Sequence, residues 1–183
     1  MTYVAGLPPI PKDHVNLKKI MLIAIGTGVL YAAYIGISLI RLPTVEGLSN
    51  RSMNLTIQVN DWKGKTHPFI VGPKNSYWIS SESIPPEMTW AVIVAEDARF
   101  YQHEGIDVTA IKNAIRYDLE KKSFARGAST ITQQVAKNLY LSREKSISRK
   151  IEEIVLAKRM EVVLTKGRII ELYLNVVELG PMV

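Results

Sequence analysis

No cysteine occurs in this 183-residue chain, which excludes disulfides, thiol catalysis and cysteine-held metals. Histidine is scarce as well. His14, His67 and His103 stand far apart in sequence, too few and too scattered for a zinc site. There is no internal repeat and no low-complexity tract. Charge is missing from all 21 residues between Ile20 and Ile40, and about 20 apolar residues suffice to cross a bilayer as a helix. A cleaved signal peptide has an apolar core of only about 7–15 residues followed by small residues. This segment is longer and ends Leu39-Ile40-Arg41, so it reads as an uncleaved anchor. Lys12, Lys18 and Lys19 precede it, while Arg41 and Arg51 follow. The positive-inside rule puts residues 1–19 in the cytoplasm as a short tail and everything after Arg41 outside it. That location argues against nucleic acid as a partner.

What is present is an ordinary globular mixture, 22% charged and 47% hydrophobic, with room for one domain and a small appendage. The net charge of +6 is unevenly spread. From Lys112 to Arg168, 14 Lys and Arg face 6 Asp and Glu. Such an excess is either a solvated helical surface or a match for an anionic partner, such as phospholipid head groups or a phosphorylated substrate.

After an irregular connector (42–52), Met53, Leu55, Ile57 and Val59 alternate with polar residues, the period of a half-buried strand. Residues 60–64 read as a turn. A second strand is expected through Phe69-Ile70-Val71, held to an edge by Pro68. The rest reads as helices. Pro85-Pro86 opens one expected to reach Tyr101, closed by Gly105. Asp107 caps the next, which carries Ile111, Ile115 and Leu119 at four-residue spacing. Ser129 or Thr130 caps a third, and Thr130 with Gln133 fits a capping box. A fourth runs from about Ser146 to Leu164. Thr165 caps a fifth that is expected to run from Arg168 to Glu178 and end at Gly180-Pro181.

Four clusters could carry chemistry. Glu96 ends an otherwise apolar stretch, where partial loss of water would strengthen a carboxylate as a base. Glu96, Phe100 and His103 recur at one helical face, with Asp97 beside them. On spacing alone, Glu96-Asp97 at a helix end is more often a surface pair. Next comes GASTITQQVAKN, Gly127 to Asn138, dense in uncharged hydrogen-bonding groups around one cation, Lys137. Gln134, Lys137 and Asn138 fall on one face of a helix, and Ser129 and Thr130 with free helix amides could hold an anion. A capped polar surface helix is the plain alternative. In the third cluster, Arg149 to Glu161, Arg149 and Glu153 are spaced as a surface ion pair on an exposed helix. In the fourth, Lys166 to Gly180, Glu171, Asn175 and Glu178 share a face opposite Ile170, Leu174 and Val177, as on any amphipathic helix.

Together and in order, these clusters resemble the glycosyltransferase family 51 domain, the peptidoglycan transglycosylase of monofunctional cell-wall transglycosylases and of class A penicillin-binding proteins. The family pattern E-D-x-x-F-x-x-H-x-G-x-D is met at Glu96, Asp97, Phe100, His103, Gly105 and Asp107. G-x-S-T-I-T-Q-Q-x-x-K-N is met at Gly127, Ser129 to Gln134, Lys137 and Asn138. R-K-x-x-E is met at Arg149, Lys150 and Glu153, and E-x-Y-L-N with a later glycine at Glu171, Tyr173, Leu174, Asn175 and Gly180. The family's domain continues past the point where this sequence stops, so residues 81–183 are expected to form its N-terminal part, behind residues 41–80 as a connector with a β-hairpin.

The resemblance implies a mainly α, lysozyme-like transglycosylase domain with a small β-hairpin and one transmembrane helix. It also implies polymerisation of lipid II into β-1,4 glycan strands, with inversion at the anomeric carbon and release of undecaprenyl pyrophosphate. Glu96 would be the general base and Glu153 a second catalytic carboxylate that orients the donor or a metal. Lys137, Arg149 and Lys145 would face the pyrophosphate. Asp97, Phe100, His103, Ser129, Thr130, Gln133, Gln134, Asn138 and Glu171 would complete the substrate-binding set. A divalent metal, Mg or Mn, could assist. Expected partners are lipid II, the growing glycan strand, the bacterial cytoplasmic membrane and other cell-wall synthesis proteins. Two rival readings are a lysozyme-like muramidase and an inactive membrane protein that docks on cell-wall synthases.

Overall fold

The computed structural model of the protein describes residues 17–60, 65–121, 127–142 and 144–177. It divides into two compact units, Met1–Ile40 and Arg41–Val183. Of the first, a single helix is described, α1 (Leu17–Ile40). It is long and apolar enough to cross a membrane, and it buries none of its side chains within the protein. Thr27 returns its hydroxyl to the Ile23 carbonyl at 2.8 Å, the usual way a hydroxyl is satisfied inside an apolar helix.

The second unit contains one two-stranded antiparallel sheet, β1 (Leu55–Asn60) and β2 (Thr66–Val71), and five α-helices among its described residues. Leu55 pairs with Val71 and Gln58 with Pro68. In a two-stranded ribbon both strands are edges, where a proline is tolerated. A lone hairpin is barely stable in water. Buried Ile57 and Val71 tie this one to the helical core. The strand begins at Leu55 rather than at Met53, and most of the expected turn, residues 61–64, lies outside the described residues.

The helices are α2 (Pro86–Glu96), α3 (Val108–Lys121), α4 (Ile131–Tyr140), α5 (Ile147–Val163) and α6 (Lys166–Val176). α4 lies at the centre, packed on α5 and α6, with Ile131, Val135, Ala136 and Leu139 buried. Leu156 and Met160 of α5 and Ile169, Leu172 and Tyr173 of α6 close around it. The start of α4 follows its sequence: Thr130 accepts from the Gln133 amide at 3.2 Å, and the Gln133 side chain accepts from the Thr130 amide at 3.0 Å. That reciprocal pair satisfies two amides the helix cannot. Ser146 and Thr165 cap α5 and α6 more simply, their hydroxyls accepting from the Arg149 and Arg168 amides. α6 runs to Val176, and residues 178–183, where its end is expected, lie outside the described residues.

α2 departs from expectation. It stops at Glu96, not near Tyr101. Asp97 leaves helical backbone angles, at φ −157° and ψ 70°, and its carboxylate turns inward to partners that a continuing helix would not reach. A short 3-10 turn, Phe100–Gln102, follows. Gly105 then turns at φ +84°, where an added Cβ would meet the Ala157 carbonyl at 3.0 Å, so the glycine is needed. Asp107 caps α3 through a 2.8 Å bond from the Ala110 amide. α3 buries only Ala114 and leaves Ile115 and Leu119 exposed.

Candidate active site

The break after Glu96 sends two adjacent carboxylates in opposite directions. Asp97 goes inward: His103 Nε2 donates to its two oxygens at 2.9 and 3.0 Å, and the Ile131 amide donates at 3.0 Å. This links the loop after α2 to the first turn of α4, where a carboxylate also complements the helix dipole. Glu96 stays exposed, and Gln134 Nε2 donates to its Oε2 at 2.9 Å. The expected partial loss of water at Glu96 is not seen, because α2 ends there and the side chain stays exposed.

α4 carries the next groups. Gln134 and exposed Lys137 stand one turn apart. Asn138 donates to the Val176 carbonyl at 3.3 Å and so ties α4 to the end of α6. Ser129, just before the cap, is exposed and accepts from Lys150 Nζ at 3.1 Å. Lys150 also donates to Glu153 Oε1, and Arg149 reaches Glu153 Oε2 at 3.3 Å. Glu153 is therefore buried between two cations, not exposed on a solvated helix. A buried carboxylate is stable only when so compensated. With both oxygens taken it is poorly placed to hold a metal. Lys145 lies exposed just ahead of α5.

Behind this face, Glu161 Oε1 accepts from Thr132 at 2.5 Å and from Lys166 at 2.8 Å, while Lys166 also donates to the His103 carbonyl at 2.8 Å. The knot fixes α4, α5, α6 and the loop after α2 to one another. On α6, the Tyr173 hydroxyl is pushed up to about 12, first by burial and then by the Glu96 charge. It is a neutral group beside the carboxylate at physiological pH.

Several expected substrate contacts thus belong to the frame. Asp97, Phe100 and His103 are buried, and Lys166 sits 4.3 Å over the Phe100 ring. Thr130 and Gln133 are buried and spent on the cap, Thr130 also donating to the Gly105 carbonyl at 2.7 Å. Glu171 is buried against Arg168 at 3.0 Å. The structure brings Glu96, Gln134 and Lys137 to one side of α4, and Ser129, Arg149, Lys150 and Glu153 to its start. Sequence reasoning gave no role to Lys150, although its place three residues before Glu153 on a helix was a usable signal.

Asp97, His103 and Asp107 hold potential metal-ligating atoms within 4.8 Å of one another. They do not fit a divalent cation beside a pyrophosphate. Asp97 is committed to His103 and Ile131, and Asp107 to the Ala110 amide and, at 3.3 Å, to Arg99. Mg would need open oxygens and room for several waters.

A family profile described as Transglycosylase matches residues 64–183. The chain belongs to the transglycosylase family. It is similar to penicillin-binding protein 1A of Escherichia coli (strain K12), 40% identical over 158 residues, which are 86% of this chain and 18% of that protein. The biosynthetic peptidoglycan transglycosylase of Nitrosospira multiformis is 47% identical over 106 residues, 58% of this chain and 46% of its own length. That of Nitrosomonas eutropha is 48% identical over 103 residues, 56% of this chain and 42% of its own length. This transglycosylase chain therefore spans less than half the length of these curated relatives. Its helical body, with one small sheet and an apolar N-terminal helix, matches the architecture that the resemblance implies.

Proposed function

We propose that this transglycosylase chain carries the catalytic face of a peptidoglycan glycosyltransferase that extends glycan strands from lipid II. The observation that carries the reading is an exposed carboxylate, Glu96, held by the side-chain amide of Gln134, one helical turn along α4 from the exposed cation Lys137. Glu96 removes the proton from the sugar hydroxyl of the acceptor. The freed oxygen attacks the anomeric carbon of the donor, the bond from that carbon to the pyrophosphate oxygen breaks with inversion, and the lipid pyrophosphate departs with the electron pair. This is inverting glycosyl transfer with a sugar hydroxyl in place of water. Lys137, Lys145 and Arg149 supply positive charge where the leaving group gains negative charge. Glu153 works through Arg149 and Lys150, fixing their ammonium and guanidinium groups. Ser129 and Gln134 add neutral donors. α1 anchors the chain in the cytoplasmic membrane as a single pass, with the catalytic unit outside the cytoplasm, where a lipid-linked substrate arrives.

The test is to supply labelled lipid II, and separately finished cell wall, to the chain reconstituted in membranes. Longer strands from lipid II are expected. Release of soluble fragments from finished wall would instead make it a muramidase, and failure of both reactions would favour a docking protein.

A further inference from the structure

A second recess lies in the same unit, between the connector and α6. Its volume is about 470 Å³, and Trp78, Ser80, Ser83, Arg51, Glu82 and Glu171 line it. Small-ligand sites fall in the range of about 300–1,000 Å³. Glu171 and Tyr173 are two residues apart on α6, about 200° around the helix. The recess therefore opens on the flank of α6 away from Tyr173 and Glu96.

Glu171, which lines it, and Arg168, packed behind Glu171 and Trp78, are chemically unfinished. Arg168 and Glu171 approach to 3.0 Å and both are nearly fully buried, yet Arg168 Nη1 and Nη2 and Glu171 Oε2 have no hydrogen-bond partner. Arg168 Nε is used, donating to the Leu48 carbonyl at 2.9 Å. Buried donors and acceptors left open are costly, so they are normally met by water or a ligand. The same recess offers an aromatic wall, because Arg168 covers one face of Trp78 at 5.6 Å and the ring is half-buried.

We infer that this recess is a saccharide-binding site separate from the catalytic face, taking one or two pyranose rings of a glycan strand. Charge decides the class. Glu171 is balanced by Arg168, and Glu82 at the rim is paired with Arg51. An ammonium or a phosphate would meet no net opposite charge. A neutral ligand with an apolar face for the indole and hydroxyls that both donate and accept fits every group present, including the rim hydroxyls of Ser80 and Ser83. The ligand class rests in part on the polymerase reading, whereas the recess does not. The two are separable: a chain that polymerises lipid II but binds no free saccharide refutes only the recess, and the reverse outcome refutes only the polymerase.

The experiment is calorimetric titration of the full chain in detergent micelles with the water-soluble β-1,4-linked tetramer of N-acetylglucosamine. Trp78→Ala and Ser83→Trp should each weaken binding at least tenfold, and Glu96→Gln should change it less than twofold. If Trp78→Ala melts early through loss of the Arg168 stack, Ser83→Trp, which fills the mouth from an exposed position, carries the test. The inference is overturned if the wild type does not bind the tetramer. It is also overturned if Ser83→Trp binds normally, if the loss is confined to Glu96→Gln, or if a soluble pentapeptide stem binds in the tetramer's place.

Discussion

The amide nitrogen of Gln134 lies 2.9 Å from Glu96 Oε2 and donates to it. Glu96 ends α2 and Gln134 lies in the first half of α4, so one hydrogen bond aims the exposed carboxylate across two elements. On the proposed reading the other oxygen, Oε1, takes the acceptor proton. A base held this way avoids part of the entropy cost of finding its attack geometry.

On the same reading Gln134 positions Glu96. Gln134→Leu in the reconstituted chain should lower the kcat of lipid II polymerisation roughly 10- to 100-fold with little change in KM, a split that follows from losing geometry instead of binding. Gln134→Glu should lose more, because it sets two like charges together. A raised KM at unchanged kcat would return Gln134 to a substrate contact.

Asp97 is predicted to matter for stability. Asp97→Ala strands the buried His103 imidazole and the Ile131 amide, which should cost about 3 kcal/mol in denaturant unfolding. A change below about 0.5 kcal/mol would contradict a framing role.

Glu153 depends on its two cations. The double variant Arg149→Met/Lys150→Met leaves a buried carboxylate uncompensated and should destabilise by about 3 kcal/mol at neutral pH. Adding Glu153→Gln to that background should recover most of the loss. Failure of the third change to rescue would mean the cations act elsewhere.

Tyr173 gives an alkaline signature. Its folded value of about 12 lies above the ordinary 10, chiefly through burial and secondly through the Glu96 charge. The unfolded chain then releases this proton first. The contribution to stability is whole below pH 10 and disappears between pH 10 and 12. Unfolding measured across that window should steepen with pH in the wild type and flatten in Tyr173→Phe. Equal slopes would show that the hydroxyl is not shielded.

Local chemistry made much of the frame readable. The Thr130-Gln133 capping box and the Asp107 and Thr165 caps are side-chain-to-backbone bonds over a few residues, and all three form as the sequence predicts. Long-range partners were not readable. Asp97 stops α2 for the sake of His103 and Ile131, the latter 34 residues away. Glu153 looked like half of a surface ion pair because burial by α4 and the connector has no periodic signature. Arg168 reaches Leu48 across 120 residues, and Asn175 clasps both backbone groups of Ile79 at 2.8 Å, so the fourth motif serves to hold the connector. Hydroxyl and amide density in the second motif suggested a ligand cradle throughout, whereas Thr130, Thr132 and Gln133 are spent inside the fold and Asn138 is turned to the Val176 carbonyl, which leaves Ser129, Gln134 and Lys137 for a ligand.

The most direct measurement is the rate of lipid II polymerisation by the reconstituted chain beside its Glu96→Gln variant, with circular dichroism to verify the fold of both. Glu96→Gln keeps the shape of the side chain and its hydrogen-bonding reach to Gln134 but cannot accept the acceptor proton. General-base catalysis contributes roughly 10²–10⁴-fold, so the account predicts a loss of at least 100-fold with an unchanged melting profile. Polymerisation within a few-fold of wild type in the folded variant would contradict it.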